Sequence, residues 1–164
     1  MILEIFSKDK LKKMLKGAKK IAIIGAGNIL RGDDAVGVLT AYRLKRLAPR
    51  RALVLIGEVY PESYLDVVAK DDEITHVIYI DAVDAGEELG KAMFVDIDEI
   101  PQGLFDTHKL PMRFFWSYLE KLGKKLIIIG IQVKNIKIGS SISRELFDKA
   151  MRIADEIYKV LEEL

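Results

Sequence analysis

Ile21-Ala22-Ile23-Ile24-Gly25-Ala26-Gly27-Asn28-Ile29-Leu30-Arg31-Gly32-Asp33-Asp34-Ala35-Val36-Gly37 decides the fold: four apolar residues, a glycine-rich turn, two acids, then a helical pattern. An apolar run bounded by glycine reads as a strand buried on both faces, and strand, glycine turn and helix in that order open a parallel α/β sheet. The alternation continues downstream. Strands are predicted over 20–25, 52–58, 76–81, 93–97 and 125–132, and helices over 34–47, 61–69, 111–122 and 143–164. The expected fold is α/β: a three-layer sandwich with a mostly parallel five-stranded sheet and helices on both faces. The almost wholly apolar segments 21–24 and 126–131 belong at its centre, and 93–97 is the candidate for an antiparallel strand. Leu146, Ala150, Ile153, Ile157 and Leu161 recur at helical spacing after Ser143, a helix that lays one stripe on the sheet.

The 164 residues read as one domain, 1–164, with residues 1–18 an added N-terminal helical segment whose Lys-rich amphipathic stretch, 5–15, covers the sheet. Lys plus Arg at 26 against Asp plus Glu at 25 leave a formal charge of +1, so nothing draws the chain to nucleic acid or to an anionic membrane. With no cysteine, a disulfide framework, a thiolate metal site and a cysteine nucleophile are all excluded. Any metal here must meet oxygen or imidazole. Charges interrupt the first twenty residues and no apolar run reaches bilayer length, so a cytoplasmic monomer is the expectation.

The turn after the first strand invites a nucleotide reading, which fails twice. Leu30 stands where the dinucleotide fingerprint needs its third glycine, and Asp33-Asp34 would repel a phosphate at the helix start. No Walker-type Gly-Lys-Ser/Thr occurs either. What the loop does supply is a carboxylate at the C-terminal edge of the sheet, where open α/β folds bind their ligands. The strand Val77-Ile78-Tyr79-Ile80-Asp81 brings a second acid to that edge. Phe105-Asp106-Thr107-His108-Lys109-Leu110-Pro111 brings an imidazole from a third loop.

Each has a plainer reading. Asp33 or Asp34 caps the next helix, Asp81 closes a turn, His108 is an ordinary loop histidine, and His76 lies at the surface. Together, two carboxylates and one imidazole make an open metal site that is hard, lacks sulfur and binds a free transition metal weakly. Such a set suits a metal already held by another molecule. In the helix after His108, Phe115, Leu119 and Leu122 form the expected core stripe, leaving Phe114 and Trp116 off it, with core or neighbouring-loop packing preferred for them over a partner contact. Arg31-Gly32-Asp33 spells an adhesion tripeptide only by coincidence.

These residues resemble the hydrogenase maturation proteases. The family's opening signature, Gly-x-Gly-Asn-x-Leu-x-x-Asp-Asp/Glu-x-x-Gly, is matched by Gly25, Gly27, Asn28, Leu30, Asp33, Asp34 and Gly37. Ile80-Asp81-Ala82 resembles its second signature and Thr107-His108 its third, and the likeness runs over about residues 20–162. Gly130-Ile131-Gln132 is similar to the branch serving energy-converting and F420-type hydrogenases. The resemblance implies an endopeptidase that removes the C-terminal extension of a [NiFe] hydrogenase large-subunit precursor. It implies nickel contact by Asp34, Asp81 and His108, with the nickel supplied by the substrate. Asp34 and Asp81 are the implied catalytic carboxylates. Nickel then serves either as Lewis acid or as recognition anchor, and Asn28 is a candidate carbonyl-polarising donor. The alternative is a non-catalytic α/β module that senses a metal or another ligand.

Overall fold

The computed structural model describes residues 3–99 and 109–164. Its elements run in the order β1 (Leu3–Ile5), α1 (Lys8–Met14), β2 (Lys20–Ala26), α2 (Val36–Leu47), β3 (Ala52–Glu58), α3 (Leu65–Lys70), β4 (Ile74–Val83), β5 (Ala92–Val95), α4 (Lys109–Lys121), β6 (Lys125–Gln132) and α5 (Arg144–Glu162). Single 3₁₀ turns at Gly32–Ala35 and Pro61–Tyr64 lead into α2 and α3.

The sheet has six strands in the order β1-β5-β6-β4-β2-β3, one more than the sequence predicts. The addition is β1, which pairs antiparallel with β5 through Leu3–Val95 and Ile5–Met93. Residues 1–18 are therefore not wholly helical. Three residues are too few to show the alternation that marks a strand, and α1 begins only after Ser7, whose hydroxyl accepts from Lys10 N–H. β2, β3, β4 and β6 are mutually parallel, and β5 runs antiparallel to β6, as expected of 93–97. β2 and β6 both lie inside the sheet, with β4 between them.

Side chains alternate across each strand, and the two resulting faces build two cores. Ile21, Ile23, Ile78, Ile80, Ile127 and Ile129 face Leu11 and Leu15 of the N-terminal segment, Leu44 of α2 and the Leu146–Leu161 stripe of α5. Ala22, Ile24, Val77, Tyr79 and Ile128 face Val68 of α3 and Phe115, Trp116 and Leu119 of α4. The result is three layers. α5 begins where Ser143 Oγ accepts from Leu146 N–H, as read from the sequence.

Two expectations about packing are corrected. Trp116 is buried and packs edge-on to Tyr79 with ring centroids 5.4 Å apart, whereas Leu122 is half exposed. Leu122 lies one residue past the end of α4, so the buried stripe is 115, 116 and 119. His76 is buried, not at the surface, because β4 starts two residues before it and sits between β2 and β6.

β2 connects through α2 to β3 on one side, while β4 lies on the other side of β2. The carboxyl ends of β2 and β4 therefore flank the point where the chain's winding reverses, the place where open α/β sheets form a ligand crevice.

Candidate active site

The glycines of the opening loop let a helix come down on the sheet. A Cβ on Gly37 would collide with the carbonyls of Ala26 and Ile80 and press on Asp81 Cα, and one on Gly25 would strike Ala41 and the carbonyl of Gly37. Gly27, at φ 139°, would strike the carbonyl of Asp34. The first turn of α2 thus lies against the ends of β2 and β4, and the 3₁₀ turn before it sets Asp34 beside Asp81.

Asp33 and Asp34 are chain neighbours with different duties, and neither side chain caps α2. Asp33 is buried and accepts three backbone N–H bonds across the crevice: Oδ2 from Lys134 (3.1 Å) and Asn135 (2.9 Å), Oδ1 from Ser143 (3.2 Å). It fastens the loop after β6 to the loop after β2. Gly32 N–H to Ser140 O (3.0 Å), Asp33 N–H to Asn135 O (2.9 Å), Gly139 N–H to Leu30 O (2.8 Å) and Arg31 Nε to Ile136 O (3.1 Å) complete the seam.

Asp34 points the other way, and its Oδ2 accepts from Asn28 N–H at 2.8 Å. The Asn28 side chain is engaged in a local turn, Oδ1 accepting from Leu30 N–H at 2.9 Å. Asn28 therefore holds Asp34 with its backbone and shapes the loop with its carbonyl.

Asp81 is 3% exposed at the end of β4. Tyr79, two residues earlier on the same face, donates from its hydroxyl to Oδ2 at 2.9 Å, and Ala82 N–H donates to Oδ1 at 2.8 Å. Tyr79 is the residue that sequence reasoning missed, although strand alternation already places it and Asp81 on one face. Burial, followed by the neighbouring charge of Asp34, pushes the Asp81 carboxyl up to about 7 against the pull of its two donors. The Tyr79 hydroxyl is pushed well above its ordinary range, first by burial and then by Asp81, so it stays a donor.

The structure thus brings Asp34 and Asp81 together and assigns Asp33 to the scaffold. His108, with Thr107, lies outside the described residues. Among the described residues no three His, Cys, Asp or Glu side chains group in a way that could hold a metal ion. A carboxylate that titrates near neutrality beside a second carboxylate can accept a proton or meet a cation, and the two functions compete for the same lone pairs.

The same α/β fold is found in known peptidases. The chain superposes on the crystal structure of a [NiFe] hydrogenase maturation protease, HycI, from Thermococcus kodakarensis. The TM-score is 0.83 at 33% identity, covering 93% of this chain and 99% of that one. The solution structure of an endopeptidase HycI from Escherichia coli shares the fold at TM-score 0.74 and 23% identity, covering 88% and 90%. In sequence, the chain is 29% identical to the hydrogenase 3 maturation protease of Escherichia coli K12 over 67% of this chain and 70% of that one. The family model described as hydrogenase maturation protease matches residues 43–160. That match begins beyond the 25–37 loop, so the opening signature is a line of resemblance separate from it. The chain belongs to the hydrogenase maturation protease family. No helix among the described residues is long and apolar enough to cross a membrane.

Proposed function

We propose that this protein removes the C-terminal extension of a nickel-loaded [NiFe] hydrogenase large-subunit precursor, with Asp34 and Asp81 as its working carboxylates. The observation that carries this reading is the juxtaposition itself: two buried acids, one held by the loop after β2 and one by β4, with the Asp81 carboxyl lifted to about 7. Nickel enters as part of the substrate, bound by the precursor's own thiolates. Two carboxylates and the His108 imidazole are too hard a donor set to strip it from sulfur, and suffice to inspect it.

Asp81 accepts one hydrogen bond on each oxygen, which leaves a lone pair on both. One oxygen can face the metal while the other takes a proton from the water that attacks the scissile carbonyl. Asp34 supplies the second carboxylate. Its Oδ2 is anchored by Asn28 N–H, so the approach of the precursor's cation meets a fixed carboxylate and not a floppy one. Within the family, we assign the chain by Gly130-Ile131-Gln132 to the branch serving energy-converting and F420-type hydrogenases. Gln132 is buried and joins Ala85 N–H, Glu87 N–H, Asp84 and Val133 O at the end of β6.

The test is mass spectrometry of a cognate precursor, nickel-loaded and nickel-free, incubated with the wild type and with His108→Ala. Loss of a C-terminal peptide only from the loaded precursor with the intact enzyme is the expected result. A loaded precursor that binds and stays whole would make the protein a metal-sensing module and sink the peptidase reading.

A further inference from the structure

The surface next to the carboxylate pair is apolar where a solvent-facing loop is ordinarily polar. Ile29 is 54% exposed, Leu30 66% and Ile138 80%. They stand on the two seamed loops, and the Gly139 N–H to Leu30 O bond makes Leu30 and Ile138 neighbours. Single exposed aliphatics are ordinary; three on a backbone fixed by the Asp33 carboxylate and four further hydrogen bonds form a preorganised patch. Leu30, one of the residues carrying the family resemblance, contributes to neither core.

Charge on the two loops has one sign. Residues 28–32 and 134–143 contain Arg31, Lys134 and Lys137 and no acid. Lys134 and Lys137 are exposed and make no ion pair among the described residues. The nearest carboxylates in the chain, Asp33 and Asp34, are buried and turned inward.

We propose that Ile29, Leu30 and Ile138, rimmed by Lys134 and Lys137, form the platform on which the precursor docks through an apolar segment flanked by carboxylates. The proposal rests on the peptidase reading for the identity of the partner. Leu30 and Asp34 are four residues apart on one loop, so a chain seated on the platform lies within a few residues' reach of the carboxylate pair. The platform therefore supplies affinity, and the acids supply chemistry.

Binding of the nickel-loaded large-subunit precursor, followed by interferometry at low and high salt, tests this without requiring cleavage. Leu30→Ser/Ile138→Ser is expected to weaken binding about tenfold at both salts. Lys134→Glu/Lys137→Glu is expected to weaken it by a similar factor at low salt and to abolish its salt dependence. Ile5→Ser, an exposed aliphatic on the far edge strand, serves as control and leaves binding unchanged. Unaltered binding by both double variants, or no binding by the wild type, overturns the platform whether or not cleavage occurs. Weakened binding by the variants with no cleavage by the wild type would instead overturn the peptidase reading and leave the platform standing.

Discussion

The two ends of the parallel strands both bury ionisable groups, and they treat them in opposite ways. At the N-terminal edge Lys20, Asp71 and Lys124 are each given partners. Lys20 Nζ lies 2.6 Å from Asp71 Oδ2, Lys124 Nζ donates to the carbonyls of Asp71 (2.9 Å) and Ile74 (2.8 Å), and His76 Nδ1 sits 2.8 Å from Thr75 Oγ1. The hydrogen bond from Lys20 holds the Asp71 carboxyl below its ordinary value, and burial, then Lys125, push the His76 imidazole below its own. At the C-terminal edge, like is placed beside like, and Asp81 is lifted towards neutrality. One edge is arranged to hold the fold; the other keeps an unfavourable arrangement of the kind that gathers at functional sites.

That contrast can be broken most sharply at Asp81. Asp81→Asn preserves both hydrogen bonds, since the amide oxygen still accepts from Ala82 N–H while the Tyr79 hydroxyl turns to accept from the amide nitrogen. Cleavage of the loaded precursor is nevertheless expected to fall about a thousandfold, measured by mass spectrometry under single-turnover conditions. Stability should move the other way. The folded pKa of about 7 exceeds the ordinary 3.8, so between those values the folded protein holds a proton that the unfolded chain has released. Wild-type stability therefore declines as pH rises through that window. Asp81→Asn is expected to unfold at a higher temperature than the wild type at pH 8, by up to about 4 kcal/mol, and to show no gain at pH 4. A variant equally destabilised at both would show Asp81 to be scaffold.

Asp33→Ala sharpens the contrast from inside the same loop, by orphaning three backbone donors. A loss of about 3 kcal/mol in chemical denaturation is expected. At the opposite edge, Lys124→Met removes the ammonium donor shared by the carbonyls of Asp71 and Ile74, leaving Asp71 O only its bond from Ile74 N–H, and should cost about 2 kcal/mol with the turnover of the loaded precursor unaltered. Asp71→Asn carries the smallest effect. Its lowered carboxyl contributes stability that is present above pH 3.8 and lost as pH falls through the folded value. The thermal midpoint should drop slightly at pH 7, with the deficit vanishing in acid.

How far these edges were legible in the sequence follows from the range of the interactions involved. Apolar runs such as Ile21–Ile24 and 126–131 announce interior strands because burial on both faces is written in consecutive residues. The antiparallel run near 93–97 was also legible. β1 was not, because its three residues form a strand only by borrowing Met93–Val95 as a template. Nor was the division of labour between Asp33 and Asp34. Adjacent residues of one type differ here solely through partners about a hundred positions away, at Lys134, Asn135 and Ser143. His76 was misjudged because three acids precede it at 71–73, yet β2 and β6 close over it from both sides. Trp116, outside the expected stripe, is drawn into it by Tyr79, an aromatic partner that only the tertiary packing reveals.

The coupling of the two carboxylates is the claim on which the rest depends, and carbon-13 NMR titration of the Asp81 carboxyl in the wild type and in Asp34→Asn measures it directly. A wild-type midpoint near 7 that falls clearly in Asp34→Asn, with the fold intact, is the predicted result. A wild-type midpoint in the ordinary carboxylate range, or one indifferent to Asp34, would contradict it, since the two acids would then be separate residues and not one site.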